Sequence, residues 1–176
     1  MDGAAAARLR TATMFAAAVG LLGCGEAREQ TMSDWDWGEK TVDLAVAAAT
    51  PKPSVRAGEP VVLHTALKNF GFTPVRLVAQ SPWVDYEVEV RDSAGRLLPL
   101  TKLARERMDM AEEGSRAVSE LGRGALLTGT YPLSEAFVLS AKGRYTVVAK
   151  RTTFGRGDSP GFVSLTSKPL VLEVVD

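Results

Sequence analysis

A single histidine, His64, and a single cysteine, Cys24, limit the chemistry open to this chain of 176 residues. A Ser-His-Asp or Cys-His pair needs an imidazole to take the nucleophile's proton, so any such site must use His64. That residue lies between Leu63 and Thr65 in a run of alternating polarity. The expectation is a partly exposed strand histidine. His-Glu-x-x-His, Cys-x-x-Cys and a Gly-x-x-x-x-Gly-Lys phosphate loop are missing, so the familiar metal, thiol and nucleotide chemistries have no visible residues. Carboxylates fall into two groups: Asp109, Glu112 and Glu113 in an irregular stretch, and Asp85, Glu87 and Glu89 at every second position. A glycosidase pair needs a set separation and calcium needs several oxygens, neither of which follows from this spacing. Alternate positions suit a solvated strand face, which also discourages edge-to-edge association. A non-enzyme with no cofactor and no metal is expected.

The hexapeptide Gly155-Arg156-Gly157-Asp158-Ser159-Pro160 has two readings. Gly, Asp, Ser and Pro are what a tight turn demands. The six residues also resemble the cell-attachment loop of fibronectin type III domains, and Ser167-Lys168-Pro169 resembles the segment that follows it. That resemblance implies binding through Arg156, Gly157 and Asp158, with Arg156 in an integrin's acidic pocket and Asp158 on its adhesion-site metal.

Cys24 closes a different pattern. Arg8 and Arg10 precede an apolar run from Thr11 to Gly23. The run is shorter than the ~20 residues a bilayer-spanning helix needs, but suits the about 7–15 of a secretory h-region. Leu21-Leu22-Gly23-Cys24 resembles the lipobox of bacterial lipoproteins, which implies cleavage before Cys24 and acylation of that residue. Two or three acyl chains would anchor the protein durably. The expected organisation is a signal peptide over 1–23, a flexible tether over 24–40 and one domain over 41–176. The expected address is the extracytoplasmic side of a bacterial cell membrane or outer membrane, with Gly25 permitting outer-membrane sorting by resemblance to Gram-negative lipoproteins. Trp35 and Trp37, inside the acidic tether, suit either a wet interface or a first edge strand laying one indole on the core.

Charge agrees with anchoring by lipid. The 21 Lys+Arg balance 21 Asp+Glu, and removal of the leader would leave 19 basic and 20 acidic side chains. No basic excess supports nucleic-acid binding, and no polybasic patch supports electrostatic membrane attachment. With 45% hydrophobic and 24% charged residues the composition is that of a globular domain.

The elements that must position these residues read as strands. Val42, Leu44 and Val46 alternate until Pro51-Lys52-Pro53; Gly58-Glu59-Pro60 turns; Val61, Leu63, Thr65 and Leu67 share a face. A third strand holds Val75, Leu77 and Ala79. Val84, Tyr86, Val88 and Val90 alternate with acidic residues and Arg91, and Asp92-Ser93-Ala94-Gly95 makes a hairpin returning through Leu97 to Leu100. Residues 101–120 favour a loop with a short helix, whose apolar face would combine Leu100, Leu103 and Met110. Strands resume over 125–131, 143–152 and 163–175. This pattern predicts an all-β, two-sheet antiparallel β-sandwich of about seven strands with one short helix or irregular insertion.

Gly143-Arg144-Tyr145-Thr146-Val147-Val148-Ala149 resembles the penultimate strand of immunoglobulin-like and fibronectin type III-like domains, which implies that Tyr145 bonds back to the preceding corner. Gly58-Glu59-Pro60-Val61-Val62-Leu63, followed by Leu67-Lys68-Asn69, is similar to the opening of bacterial immunoglobulin-like modules, including the intracellular proteinase inhibitor family. The functional expectation is a non-catalytic binding or structural module of the cell envelope, partnered by the membrane through Cys24 and by an unidentified protein, with no nucleic acid. An integrin-directed adhesin and a proteinase inhibitor-like module are the alternatives.

Overall fold

In the computed structural model, which describes residues 35–154 and 161–176, the elements run β1 (Leu44–Ala49), β2 (Ser54–Arg56), β3 (Leu63–Asn69), β4 (Val75–Ala79), α1 (Pro82–Asp85), β5 (Glu87–Arg91), α2 (Lys102–Glu112), β6 (Ala117–Leu121), β7 (Leu126–Tyr131), α3 (Leu133–Ala136), β8 (Gly143–Phe154), β9 (Phe162–Thr166) and β10 (Leu170–Val175). One sheet has the order β1-β3-β7 and the other β2-β10-β8-β5, with β9 beside the far half of β8. All pairings are antiparallel except β2 with β10. Leu44, Val46, Leu63 and Leu67 from the first sheet and Val90, Tyr145, Val147 and Leu172 from the second enclose a single apolar core. Two layers of alternating strand over one core make an all-β, immunoglobulin-like sandwich. The Tyr145 hydroxyl donates to the Ala141 carbonyl at 2.7 Å, the corner bond the resemblance implied.

Joined across their breaks, the ten described strands become seven. β4 and β6 prolong the β3–β7 pair beyond a break where Phe70–Pro74 leaves the ladder on one side and Gly122–Gly124 turns on the other. Asn69 pins that break. Its buried Nδ2 donates to the carbonyls of Thr73 and Leu121, both at 2.9 Å, and its Oδ1 accepts from Gly71 N at 2.9 Å. All of its side-chain hydrogens and its carbonyl are thereby used.

The last strand is cut differently. Lys150 opposite Thr166 and Val147 opposite Leu170 differ by one residue in register, the mark of a bulge at Ser167-Lys168-Pro169. Pro169 cannot donate to a ladder. Ser167 carries the junction instead: its N–H donates to the Ala149 carbonyl at 2.8 Å and its Oγ accepts from Ala149 N at 3.0 Å.

Several local expectations are corrected. Ser81 accepts at Oγ from Trp83 N at 3.3 Å and Pro82 opens a helical turn, so Asp85 belongs to α1 and strand β5 begins only at Glu87. β1 does not alternate, because all six of its residues are buried. Residues 101–120 hold both an 11-residue helix and strand β6. The buried position of α2 is Ala104, while Leu103 and Met110 are exposed; a helix packed against α1 and α3 admits a small side chain there. Leu97 to Leu100 contributes isolated bridges at its two ends and no strand. Gly95 does adopt the left-handed conformation expected of the hairpin, at φ +77°.

Residues 35–40 lie against the body without forming a strand. Trp37 meets Phe70 edge-on with ring centroids 5.5 Å apart, and Gly38 N donates to Val46 O at 2.9 Å. Gly38 passes so near the bulge that a Cβ would stand 1.9 Å from the Thr166 carbonyl oxygen. Only glycine fits that approach. A two-residue turn follows, closed by reciprocal bonds between Thr41 and Leu44 and holding Val42 and Asp43 at φ 47° and 65°.

Candidate functional site

Alternation along β8 buries Tyr145, Val147, Ala149, Arg151 and Thr153. The fourth of these is an arginine at a core-facing position, 3% exposed. Ribbon strand β4 and helix α1 lie beside it. Arg151 Nη2 donates to the Val78 carbonyl at 3.2 Å, the guanidinium lies 5.0 Å from the Tyr86 ring centroid, and Nη1 stands 3.7 Å from Asp85 Oδ2. A guanidinium carries five N–H donors, and 3.7 Å is an ion-pair distance rather than a hydrogen bond. Asp85 is itself occupied, with both carboxylate oxygens accepting from Gln80 N at 3.1 and 3.2 Å. The nitrogens of Arg151 that lack a bond are not sealed in protein, because the fully buried polar atoms without a partner among the described residues are Thr65 Oγ1 and Tyr86 Oη alone. They open on a cleft.

The cleft has a volume of about 460 Å³ and is walled by Val78 and Gln80 from β4 and its end, by Val84, Asp85 and Glu87, by Glu112 and Arg116 at the end of α2, and by Lys150, Arg151 and Thr152 from β8. Its charges are three acidic and three basic. Lys150 is paired with Glu89. Their hydrogen bond holds the Glu89 carboxyl below its ordinary range and the Lys150 amine above its own. Glu87, Glu112 and Arg116 form no ion pair among the described residues.

Gln80 fixes the roof. The last carbonyls of a helix have no partner within it, and here the two hydrogens of Gln80 Nε2 are shared among Ala111 O, Glu112 O at 3.1 Å and Gly114 O at 3.2 Å. At the other end Thr101 Oγ1 accepts from Ala104 N at 3.1 Å. Thus β4 ties down the end of α2 that carries Glu112. A second hollow of about 300 Å³, bordered by Trp83, Arg107 and Met110, lies on the far side of Gln80. Around the ribbon's edge Val78, Val118 and Phe154 border an apolar groove of about 400 Å³, and the exposed rings of Phe154 and Phe162 lie 5.0 Å apart.

The residues singled out in the sequence are distributed as follows. His64 is half-buried in β3, between Ala49 and Thr130 on the neighbouring strands. Asp109, Glu112 and Glu113 are exposed on and just beyond α2. Asp85, Glu87 and Glu89 do not share one solvated face: Asp85 meets Arg151, and Glu89 pairs with Lys150 and Arg91. Among the described residues no three His, Cys, Asp or Glu side chains are grouped to hold a metal. Cys24 and Arg156-Gly157-Asp158 lie outside the described residues. The sequence reading missed Arg151 and Gln80. A signal for Arg151 existed: an arginine two residues after Ala149, in phase with Tyr145 and Val147, falls where charge is rarely buried without a purpose.

No protein-family model and no curated protein sequence matches the chain. Among solved structures it is similar to the C-terminal domain of Wzt, at 12% identity over 80% of this chain and 77% of that one, with a TM-score of 0.46. The CARDB domain of a Pyrococcus furiosus protein, determined in complex with di-metal ions, is similar at 13% identity over 88% of this chain and all of its own, with a TM-score of 0.38. A β-glucosidase from Erythrobacter marinus is matched at 12% identity over 75% of this chain but 15% of the enzyme, also with a TM-score of 0.38. No activity passes from any of these to the present chain.

Proposed function

We propose that the chain is a non-catalytic binding module of the bacterial cell envelope, held at a membrane by lipid on Cys24 and binding its partner at the end of the sandwich where β4, α2 and β8 converge. The observation that carries the binding reading is Arg151, a cation buried in a rigid strand whose hydrogen-bonding capacity is largely unused and faces a cleft. Small-molecule sites place a few polar groups in hollows of about 300–1,000 Å³. The lipobox Leu21-Leu22-Gly23-Cys24 supports the anchor. Expression of the full chain in a bacterial host should give a membrane-fraction protein that incorporates labelled palmitate. Cys24→Ser should move it to the soluble fraction and abolish labelling; an unlabelled wild type with an intact leader rejects the anchor.

A second reading, adhesion through Arg156-Gly157-Asp158, is favoured by the pairing of Phe154 opposite Phe162, which brings the two ends of that connection together. Asp158→Glu should abolish cell attachment to coated protein, and unchanged attachment rejects it.

A further inference from the structure

We propose that the cleft beside Arg151 takes a zwitterionic ligand of the amino-carboxylate class, a short peptide or amino acid whose carboxylate meets Arg151 and Arg116 and whose ammonium group meets Glu87 and Glu112. The inference rests on the binding reading above and names the ligand chemistry of that site. The groups with open hydrogen-bonding capacity are its first ground. Lys150 is engaged by Glu89 and the Asp85 oxygens accept from Gln80 N, which leaves the buried Arg151 and exposed Arg116 guanidiniums and the exposed Glu87 and Glu112 carboxylates to meet a ligand, with Asp85 3.7 Å from Arg151 and Glu87 across the ladder from Lys150. A simple anion would meet the arginines but bring its charge beside both carboxylates, and a simple cation would face the reverse. A ligand carrying both charges is matched at each.

Burial is the second ground. The strong contacts of a guanidinium are bidentate bonds to a carboxylate, and Asp85 does not supply them, since its approach is a single 3.7 Å contact and its oxygens already accept from Gln80. A residue used only for packing would be expected to have its donors satisfied. The surroundings are fixed as well, with β8 in a paired sheet and the end of α2 held by Gln80.

Three probes separate the parts of this proposal: diglycine carries both charges, N-acetylglycine only the carboxylate, and glycinamide only the amine. Calorimetric titration of the purified full chain in detergent should show saturable binding of diglycine at least about tenfold tighter than either half-probe. Arg116→Gln should remove the advantage of diglycine over glycinamide, and Glu112→Gln its advantage over N-acetylglycine. Both positions are exposed, so folding is not at stake. Absence of saturable diglycine binding overturns the proposal, as does N-acetylglycine or glycinamide binding equally well. The result is independent of palmitate labelling: a membrane-bound chain that ignores all three probes loses the ligand class and keeps the anchor, whereas an unacylated chain that binds diglycine does the opposite.

Discussion

Asn69 and Arg151 lie at opposite ends of the β4–β6 ribbon, both almost wholly removed from solvent, and their surroundings treat them in opposite ways. Asn69 spends its entire side-chain capacity on three backbone groups of two neighbouring turns. Arg151 makes one hydrogen bond and one long ion pair, and the rest of its donors look into a cleft. Depth alone therefore does not tell a structural polar group from a functional one. Saturation separates these two: Asn69, with its bonds filled, is a fastening, and Arg151, with donors left over beside a cleft, has capacity that a ligand can use.

The largest effect that tests this contrast is Asn69→Ala, which removes the donor to Leu121 O and Thr73 O and the acceptor of Gly71 N and should cost about 3–4 kcal/mol of stability in denaturant unfolding. Arg151→Met should cost less, about 1–2 kcal/mol, because it removes one hydrogen bond to a backbone carbonyl and one long 3.7 Å contact, and the Asp85 carboxylate left behind keeps its bonds from Gln80 N. If the order of these two is reversed, the contrast fails.

A smaller effect is expected from the Glu89–Lys150 pair at the cleft's edge. Glu89 has a lowered folded pKa, so its contribution is complete above the ordinary carboxylate range and disappears as pH falls through that lowered value. Lys150 has a raised one, so on the alkaline side the contribution lasts until pH climbs through the lysine's own elevated value. Glu89→Gln should then lower stability by about 0.5–1 kcal/mol near neutrality and by nothing near pH 2, measured as the difference in thermal midpoint across pH. The smallest effect sharpens the rule from the other side. The Tyr86 hydroxyl is buried with no partner among the described residues, so Tyr86→Phe should remain within about 0.5 kcal/mol of the parent or exceed it; a loss above about 2 kcal/mol would show that the hydroxyl is bonded in solution.

Much of the frame was legible from period-two patterning: the core phase of β3 and β8, the Asp92–Gly95 hairpin and the Tyr145 corner each have a local cause written in adjacent residues. The helical turn at Pro82 was hidden because Val84, Tyr86, Val88 and Val90 alternate without interruption, although Ser81-Pro82 carries a cap signal. The face of α2 was misjudged because apolarity favoured Leu103 and Met110, whereas the space available between α1 and α3 favoured Ala104. β6 was missed because four of its five residues are exposed, so burial leaves no alternating trace. The cleft is the least legible part. It is assembled from β4, α1, α2 and β8, and only tertiary register brings Gln80 beneath a helix end more than 30 positions away.

The displaced register at Ser167 divides the hairpin after β8 into two independently indexed halves. Because β10 pairs with the start of β8 in one frame and β9 with its end in another, paired residues can be added to or removed from the tip while the strands below it keep every side chain on its original face. A scaffold arranged in this way can diversify one extremity over evolutionary time, or accept a grafted segment there, without repacking its interior.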